Sequence, residues 1–197
     1  MAWAKLGTKT ATTTVNPLEV DAITTPSTFN QVMIHWVNTA NAEQRIRLGS
    51  TTLDTGSNYA SRRSSNGGAD STFVTQAYVR FADAETAAPD GYLGIGYVVN
   101  IAGEEKLIIM NAVRTGDGDG AGAAPSRQET TGKWSNTSNQ FDRAGLTLSA
   151  GNADTDSNIT VIGSDGVESL NVQDGAVYYD TDLNKSYVLY NNAWTEL

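Results

Sequence analysis

The sequence predicts an all-β protein, an antiparallel β-sandwich of jelly-roll type followed by a small C-terminal β-hairpin module. Short segments rich in β-branched and aromatic residues recur along the chain, and Gly, Pro, Asn and Asp separate them. Helical periodicity is nearly absent. We expect the sandwich to occupy residues 1–166 and the hairpin module residues 167–197.

The predicted strands account for most of the apolar residues before Asp165. The clearest are Gln31–Asn38, Arg45–Leu48, Thr72–Phe81, Tyr92–Ile101 and Lys106–Arg114. Weaker signals are Thr12–Val15, Leu18–Ile23, Phe141–Leu148 and Asn158–Gly163. Roughly eight or nine strands are therefore expected, enough for two packed sheets.

The stretch "YVVNIAGEEKLIIM" predicts a hairpin, because a short polar turn from Ala102 to Glu105 separates two apolar runs. The two runs barely alternate between apolar and polar residues. This pattern indicates either central strands that are covered on both faces or strands that lie at a subunit contact.

Two stretches are predicted to be long loops, Gly49–Ser71 and Thr115–Ser135. Loops longer than about 12–15 residues are usually functional or disordered. Aromatic and cationic side chains in them suit either stacking on sugars or salt bridges between subunits of an acidic protein, and we favour the second interpretation. The candidate contact residues are Tyr59, Arg62, Arg63, Arg127, Lys133 and Trp134.

Composition argues against several classes of function. The net charge of −9, with only 13 Lys and Arg residues, disfavours a nucleic-acid partner, and no run approaches the ~20 apolar residues of a membrane helix. The chain has no cysteine, and its only histidine, His35 in "VMIHWV", is expected to be packed within a strand. No carboxylate pair or phosphate-binding glycine loop stands out, so we predict no enzyme and no cofactor.

Asp117 and Asp119 in "TGDGDGAGAA" resemble the start of a calcium loop. Counting from Asp117, however, Ala121 occupies the fifth position, which should supply an oxygen ligand, and Gln128 occupies the twelfth, which should be acidic. We therefore expect these aspartates to be solvated, and we predict no metal site.

The last thirty residues form the second predicted module. Two tyrosine-rich runs, "AVYYD" and "SYVLY", are joined by "TDLNK", and Trp194 follows. This pattern predicts a hairpin that packs on the main domain or on another chain, because an isolated hairpin is marginally stable in water.

Three stretches taken together resemble a domain of tailed-bacteriophage structural proteins, over about residues 1–166. They are "MAWAKLGTKTATTTVNPLEV", "DTGSNYASRRSSNGGADST" and the segment from "EKLIIMNAVRTGDGDGAG" through "FDRAGL" into "ITVIGSDG". The tail is similar to a second phage pattern, a short element of tail-fibre and other virion proteins. That similarity rests on Tyr178, Tyr179, Asp180, Thr181, Asn184, Lys185, Tyr187, Val188, Tyr190 and Trp194.

The resemblance implies a virion protein that is not an enzyme, displayed on the particle surface as a fibre or receptor-binding module. It also implies other virion proteins as partners, a homo-oligomer with a trimer favoured, and a host-surface glycan as a further partner. Two alternatives stay open: a capsid decoration protein that stabilises the head, and a lectin-like glycan-binding module.

Overall fold

The computed structural model describes residues 3–83, 91–115, 121–122, 124–164, 175–190 and 193–197. Within these ranges the chain is all-β, with antiparallel strands and no helix, which confirms the predicted fold class. The strands are β1 (Ala4–Thr10), β2 (Leu18–Val20), β3 (Phe29–Val37), β4 (Gln44–Ser50), β5 (Thr52–Leu53), β6 (Tyr59–Ser65), β7 (Ser71–Gln76), β8 (Val79–Ala82), β9 (Gly91–Val99), β10 (Lys106–Arg114), β11 (Ser126–Trp134), β12 (Arg143–Leu148), β13 (Asn158–Ser164), β14 (Val177–Asp180), β15 (Lys185–Tyr190) and β16 (Ala193–Glu196).

The strands fall into two compact units, Trp3–Asp165 with β1 to β13 and Gly166–Leu197 with β14 to β16. In the first unit a large sheet has the order β1-β13-β3-β9-β10-β11-β6-β7. A small sheet has the order β2-β12-β4-β5, and β8 also pairs with β4. The inward side chains of both sheets belong to one buried cluster, as expected for a β-sandwich.

The side chains of β10 alternate strictly between buried and exposed, because successive residues of a strand point to opposite faces of the sheet. Ile108, Met110 and Ala112 are buried, whereas Leu107 and Ile109, which alternate with them, are exposed. The predicted hairpin is confirmed, because β9 pairs with β10 in antiparallel register. Gly103 takes a φ of 90° in the connecting turn, a conformation that favours glycine.

Trp36 lies at the centre of the core and is fully buried. Its ring stacks on Tyr92 at 4.9 Å and meets the edge of Phe81, from the small sheet, at 5.4 Å. A Cβ at Gly94 would lie 3.2 Å from both Trp36 and Phe81, so glycine leaves the space that these rings occupy. The two sheets are therefore joined by aromatic packing.

Two strand predictions were wrong in position. The predicted strand Thr12–Val15 is replaced by β1, a mostly exposed edge strand whose polar residues give little apolar signal. The predicted strand Thr72–Phe81 is two strands, because the chain bends at residues 77–78 after Thr75, whose φ is 56°. As a result β7 joins the large sheet and β8 joins the small one.

The two long loops predicted from the sequence were also partly wrong. The stretch Gly49–Ser71 contains β5 and β6, and the stretch Thr115–Ser135 contains β11. The inward positions of β6 and β11 carry polar residues, so these strands lack the alternation of apolar and polar residues by which a strand is predicted. These buried polar residues are Ser61 and Arg63 on β6 and Gln128 and Thr130 on β11.

The C-terminal unit contains a three-stranded antiparallel sheet in the order β14-β15-β16, one strand more than the predicted hairpin. Tyr178 stacks on Tyr187 at 5.6 Å and meets Trp194 edge to face at 5.5 Å, so these rings share one face of the sheet. Asp180 accepts hydrogen bonds from the backbone N–H groups of Asp182 and Leu183 and so organises the first turn.

Candidate contact surface

The six predicted contact residues lie on two adjacent strands, β6 and β11, but strand alternation separates them into two sets. Tyr59, Arg63 and Trp134 point into the sandwich and are buried. Arg62, Arg127 and Lys133 lie on the outer face of the large sheet. The sequence analysis grouped six residues that do lie on neighbouring strands, but it did not predict which face of the sheet each side chain would occupy.

Tyr59 and Trp134 are core residues, so their assignment as contact residues was wrong. Their exposed fractions are 2% and 1%, and their rings stack at 6.2 Å. The Tyr59 hydroxyl donates to the Leu48 carbonyl at 2.8 Å and accepts from the Leu48 amide at 3.0 Å. These bonds attach β6 of the large sheet to β4 of the small sheet.

Asp54 accepts a hydrogen bond from the Trp134 indole N–H, with 2.6 Å between Nε1 and Oδ2. Burial opposes ionisation of Asp54, but hydrogen bonds from Trp134, Asn58 and the Gly56 amide outweigh it and lower the pKa of this carboxyl. The carboxylate thus fixes the β5–β6 connection to the buried indole.

Arg63 is also buried, with an exposed fraction of 6%, so it is not a surface contact residue. Its Nη1 lies 2.6 Å from Asp83 Oδ1, and Arg80 contacts the same carboxylate. Arg80 Nη1 also lies 2.7 Å from Glu43 Oε1, while both guanidinium groups lie about 5.5 Å from the Phe73 ring. This ionic network joins β6 and β8, which belong to different sheets.

The three exposed cations lie near one edge of the large sheet. Lys133 Nζ contacts Glu105 Oε2 at 2.7 Å, and Arg127 Nη1 lies 3.8 Å from Glu129 Oε1. Arg62 and Lys133 line an open groove of about 420 Å³, together with Leu107, Thr131, Val74 and neighbouring residues. Solvent-accessible cations beside apolar carbons suit hydrogen bonding to a polar ligand.

The most unusual feature of the structure is the apolar face, the outward side of β3, β9 and β10 in the large sheet. Leu107, Ile109 and Tyr97 on it have exposed fractions of 59%, 54% and 52%. The strand register places Tyr97 beside Ile109 and Leu93 beside Val113. The apolar face consists of Phe29, Met33, Leu93, Ile95, Tyr97, Val99, Leu107, Ile109 and Val113.

The other outward positions of these three strands are Gln31, His35, Val37, Gly91 and Asn111. No Asp, Glu, Lys or Arg therefore occupies the outward side of this central part of the sheet. The outer face of the small sheet, in contrast, carries the ion-paired guanidinium groups of Arg45, Arg80 and Arg143.

His35 is exposed on the outer face of the large sheet, so the prediction that it would be packed was wrong. Its neighbours Ile34 and Trp36 point inward, and alternation turns His35 outward. It lines a groove of about 380 Å³ with Leu93, Val113 and Pro125.

Asp117 and Asp119 lie outside the residues that the structure describes, so the expectation that they are solvated remains a prediction. In the described ranges, no group of three or more His, Asp or Glu side chains is placed to hold a metal ion. The same ranges contain no helix long and apolar enough to cross a membrane.

The apolar face was not among the predicted contact residues, although the sequence contains its signal. The runs around "YVVNI" and "KLIIM" fail to alternate because outward as well as inward positions are apolar. The structure shows that one side of β9 and β10 is buried, whereas the described residues leave the other side exposed.

No protein-family model, curated protein or solved structure matches this chain.

Proposed function

We propose that this protein is a structural subunit of a tailed-phage virion, displayed on the particle surface as a fibre or receptor-binding module, and not an enzyme. The apolar face is the observation that carries this proposal. A structural subunit needs a surface that stays bound to its neighbours, and such interfaces have an apolar centre depleted of charge. The resemblance of the two sequence patterns to phage structural proteins supplies the virion context.

We also infer a jelly-roll connectivity for eight of the strands. They form two sets of four, β1-β13-β3-β9 and β2-β12-β4-β8. Except between β4 and β8, each of these strands is followed by one from the opposite set, as expected for two interlocked Greek keys. On this reading β5, β6, β7, β10 and β11 are insertions, and four of them extend the large sheet.

The groove beside Arg62 and Lys133 is the proposed site for a host-surface glycan. Guanidinium and ammonium groups donate hydrogen bonds to sugar hydroxyls and pair with phosphate or carboxylate substituents of bacterial polysaccharides. Leu107 and Val74 provide apolar carbons in the same groove. The groove shares Leu107 with the edge of the apolar face, but Arg62, Val74 and Lys133 lie beyond that face, so one sheet can serve both assembly and binding.

Capsid decoration is the second candidate, because the apolar face would equally suit attachment to a shell. The copy number per particle separates the two functions. We expect quantitative mass spectrometry of purified particles from a producing culture to find tens of copies. Hundreds of copies would favour decoration, and absence of the chain from purified particles would contradict a virion role.

Glycan binding is tested with the purified chain and lipopolysaccharide from the producing host. The double variant Arg62→Ala with Lys133→Ala is expected to weaken binding at least about tenfold, because two charged donors are lost. Arg127→Ala is the matched control, since Arg127 is exposed on the same sheet but does not line the groove. Equal binding by all three proteins would remove the receptor-binding interpretation.

A further inference from the structure

The apolar face needs an occupant, because a sheet surface of this kind is costly to leave in water. Three neighbouring strands of nine residues each contribute to it. At about 3.4 Å per residue and 4.8 Å between strands, they cover roughly 440 Å² in projection. With β13 and β11 on either side the surface reaches about 700 Å², close to what each partner buries in a standard interface.

The charges around the apolar face identify the kind of occupant. Copies of a chain with a net charge of −9 repel one another over most of their surface. On the β11 side, however, the rim carries Arg62, Arg127 and Lys133 beside the carboxylates of Asp70, Glu105 and Glu129. This side of the rim therefore carries both signs in equal number, so two copies meet less repulsion there than elsewhere on their acidic surface.

We infer that the apolar face binds a second copy of this chain, so that the outer face of the large sheet is the interface of a homo-oligomer. An apolar centre without charge is complementary to itself, and a rim of mixed sign allows ion pairs between subunits. The interface concerns assembly of the chain alone and holds whether or not the protein belongs to a virion. The groove at Arg62 and Lys133 then lies at the margin of the interface.

The inference is tested by native mass spectrometry and light scattering on the purified full chain. The wild type is expected to be an oligomer at micromolar concentration: a dimer where two apolar faces pack on each other, and the trimer that the phage resemblance favours where three of them meet around one axis. Ile109→Lys places a charge at the centre of the apolar face and is expected to raise the dissociation constant at least about tenfold. Val74→Lys is the control for added charge at the margin, because Val74 is as exposed but lies on β7, with β11 and β6 between it and β10, and a clearly smaller effect is expected there.

A wild type that is monomeric at all concentrations would overturn the inference. So would equal dissociation of both lysine variants, or an Ile109→Lys protein that keeps its native fold and its oligomer. Far-UV circular dichroism and thermal melting establish that the variants are folded.

Cross-linking of single-cysteine variants tests the interface without introducing a charge. Such variants carry one unique thiol, because the chain has no cysteine of its own. Asn111→Cys lies next to Ile95 on the outer face, whereas Thr13→Cys is an exposed control outside both sheets. A bismaleimide reagent is expected to link copies of Asn111→Cys and to leave Thr13→Cys largely monomeric. Equal yields for the two variants would contradict a specific interface.

Discussion

The two outer faces of the sandwich differ in whether their side chains find partners within the same chain. On the small sheet, Arg45, Arg80 and Arg143 contact carboxylates of the same chain, and Arg45 also lies over the Tyr78 ring at 4.0 Å. On the large sheet, Leu107 and Ile109 project from the apolar face, where the outward positions of β3, β9 and β10 hold no Asp, Glu, Lys or Arg. The charged groups on the first face are paired within one chain, whereas the described residues leave the apolar side chains of the second face exposed.

The largest expected effect contrasts the two sides of the large sheet. Trp134→Ala should lower the free energy of unfolding by about 3–5 kcal/mol, because it opens a cavity beside Tyr59 and removes the hydrogen bond to Asp54. Ile109→Ala, on the apolar face, should cost the dissociated chain less than about 1 kcal/mol. Urea denaturation at dilute protein concentration measures both, and equal losses would show that Ile109 is buried within one chain.

A smaller effect is expected on the outer face of the small sheet. Glu43 Oε2 accepts hydrogen bonds from Arg45, and its Oε1 lies 2.7 Å from Arg80, so Glu43→Gln leaves two half-buried guanidinium groups without this charge. The expected loss is about 1 kcal/mol, measured by urea denaturation. Glu129→Gln on the large sheet is the control, because its exposed pair with Arg127 is long and should contribute almost nothing.

The smallest effect concerns the pH dependence of Asp54. Its pKa is lowered below 3.8 in the folded chain, so its stabilisation is present above the pKa of the unfolded chain and is lost as pH falls through the folded value. Between pH 7 and about pH 2 the wild type should therefore lose more unfolding free energy than Asp54→Asn, which has no titrating group there. Parallel losses in the two proteins would show that Asp54 contributes no pH-dependent stability.

The sequence predicted those strands that consist of apolar, β-branched or aromatic runs bounded by turn residues. The β9–β10 hairpin was found because a polar turn separates two apolar runs. For β6 and β11 the sequence pattern predicts loops, because the inward positions hold polar residues: Ser61, Arg63, Gln128 and Thr130. A buried arginine such as Arg63 is stabilised by Asp83, a partner that is distant in sequence and meets it only after folding.

The contact surface was predicted only in part, for the same physical reason. Arg62, Arg127 and Lys133 were identified from composition, but Tyr59 and Trp134 were assigned to the surface because the strand period around them was concealed. The missing alternation in β9 and β10 indicated either two covered faces or a subunit contact, and the described residues leave one face exposed. Only the pairing of both strands with their neighbours shows how large that uncovered face is.

Hydroxyl-radical footprinting followed by mass spectrometry tests the central claim most directly, because it reports both outer faces in one experiment. As protein concentration rises, Tyr97 and Met33 on the apolar face are expected to become protected, while Tyr78 beside the small sheet keeps a constant rate of modification. Concentration-dependent protection of Tyr78, or unchanged rates at Tyr97 and Met33, would contradict assembly through the outer face of the large sheet.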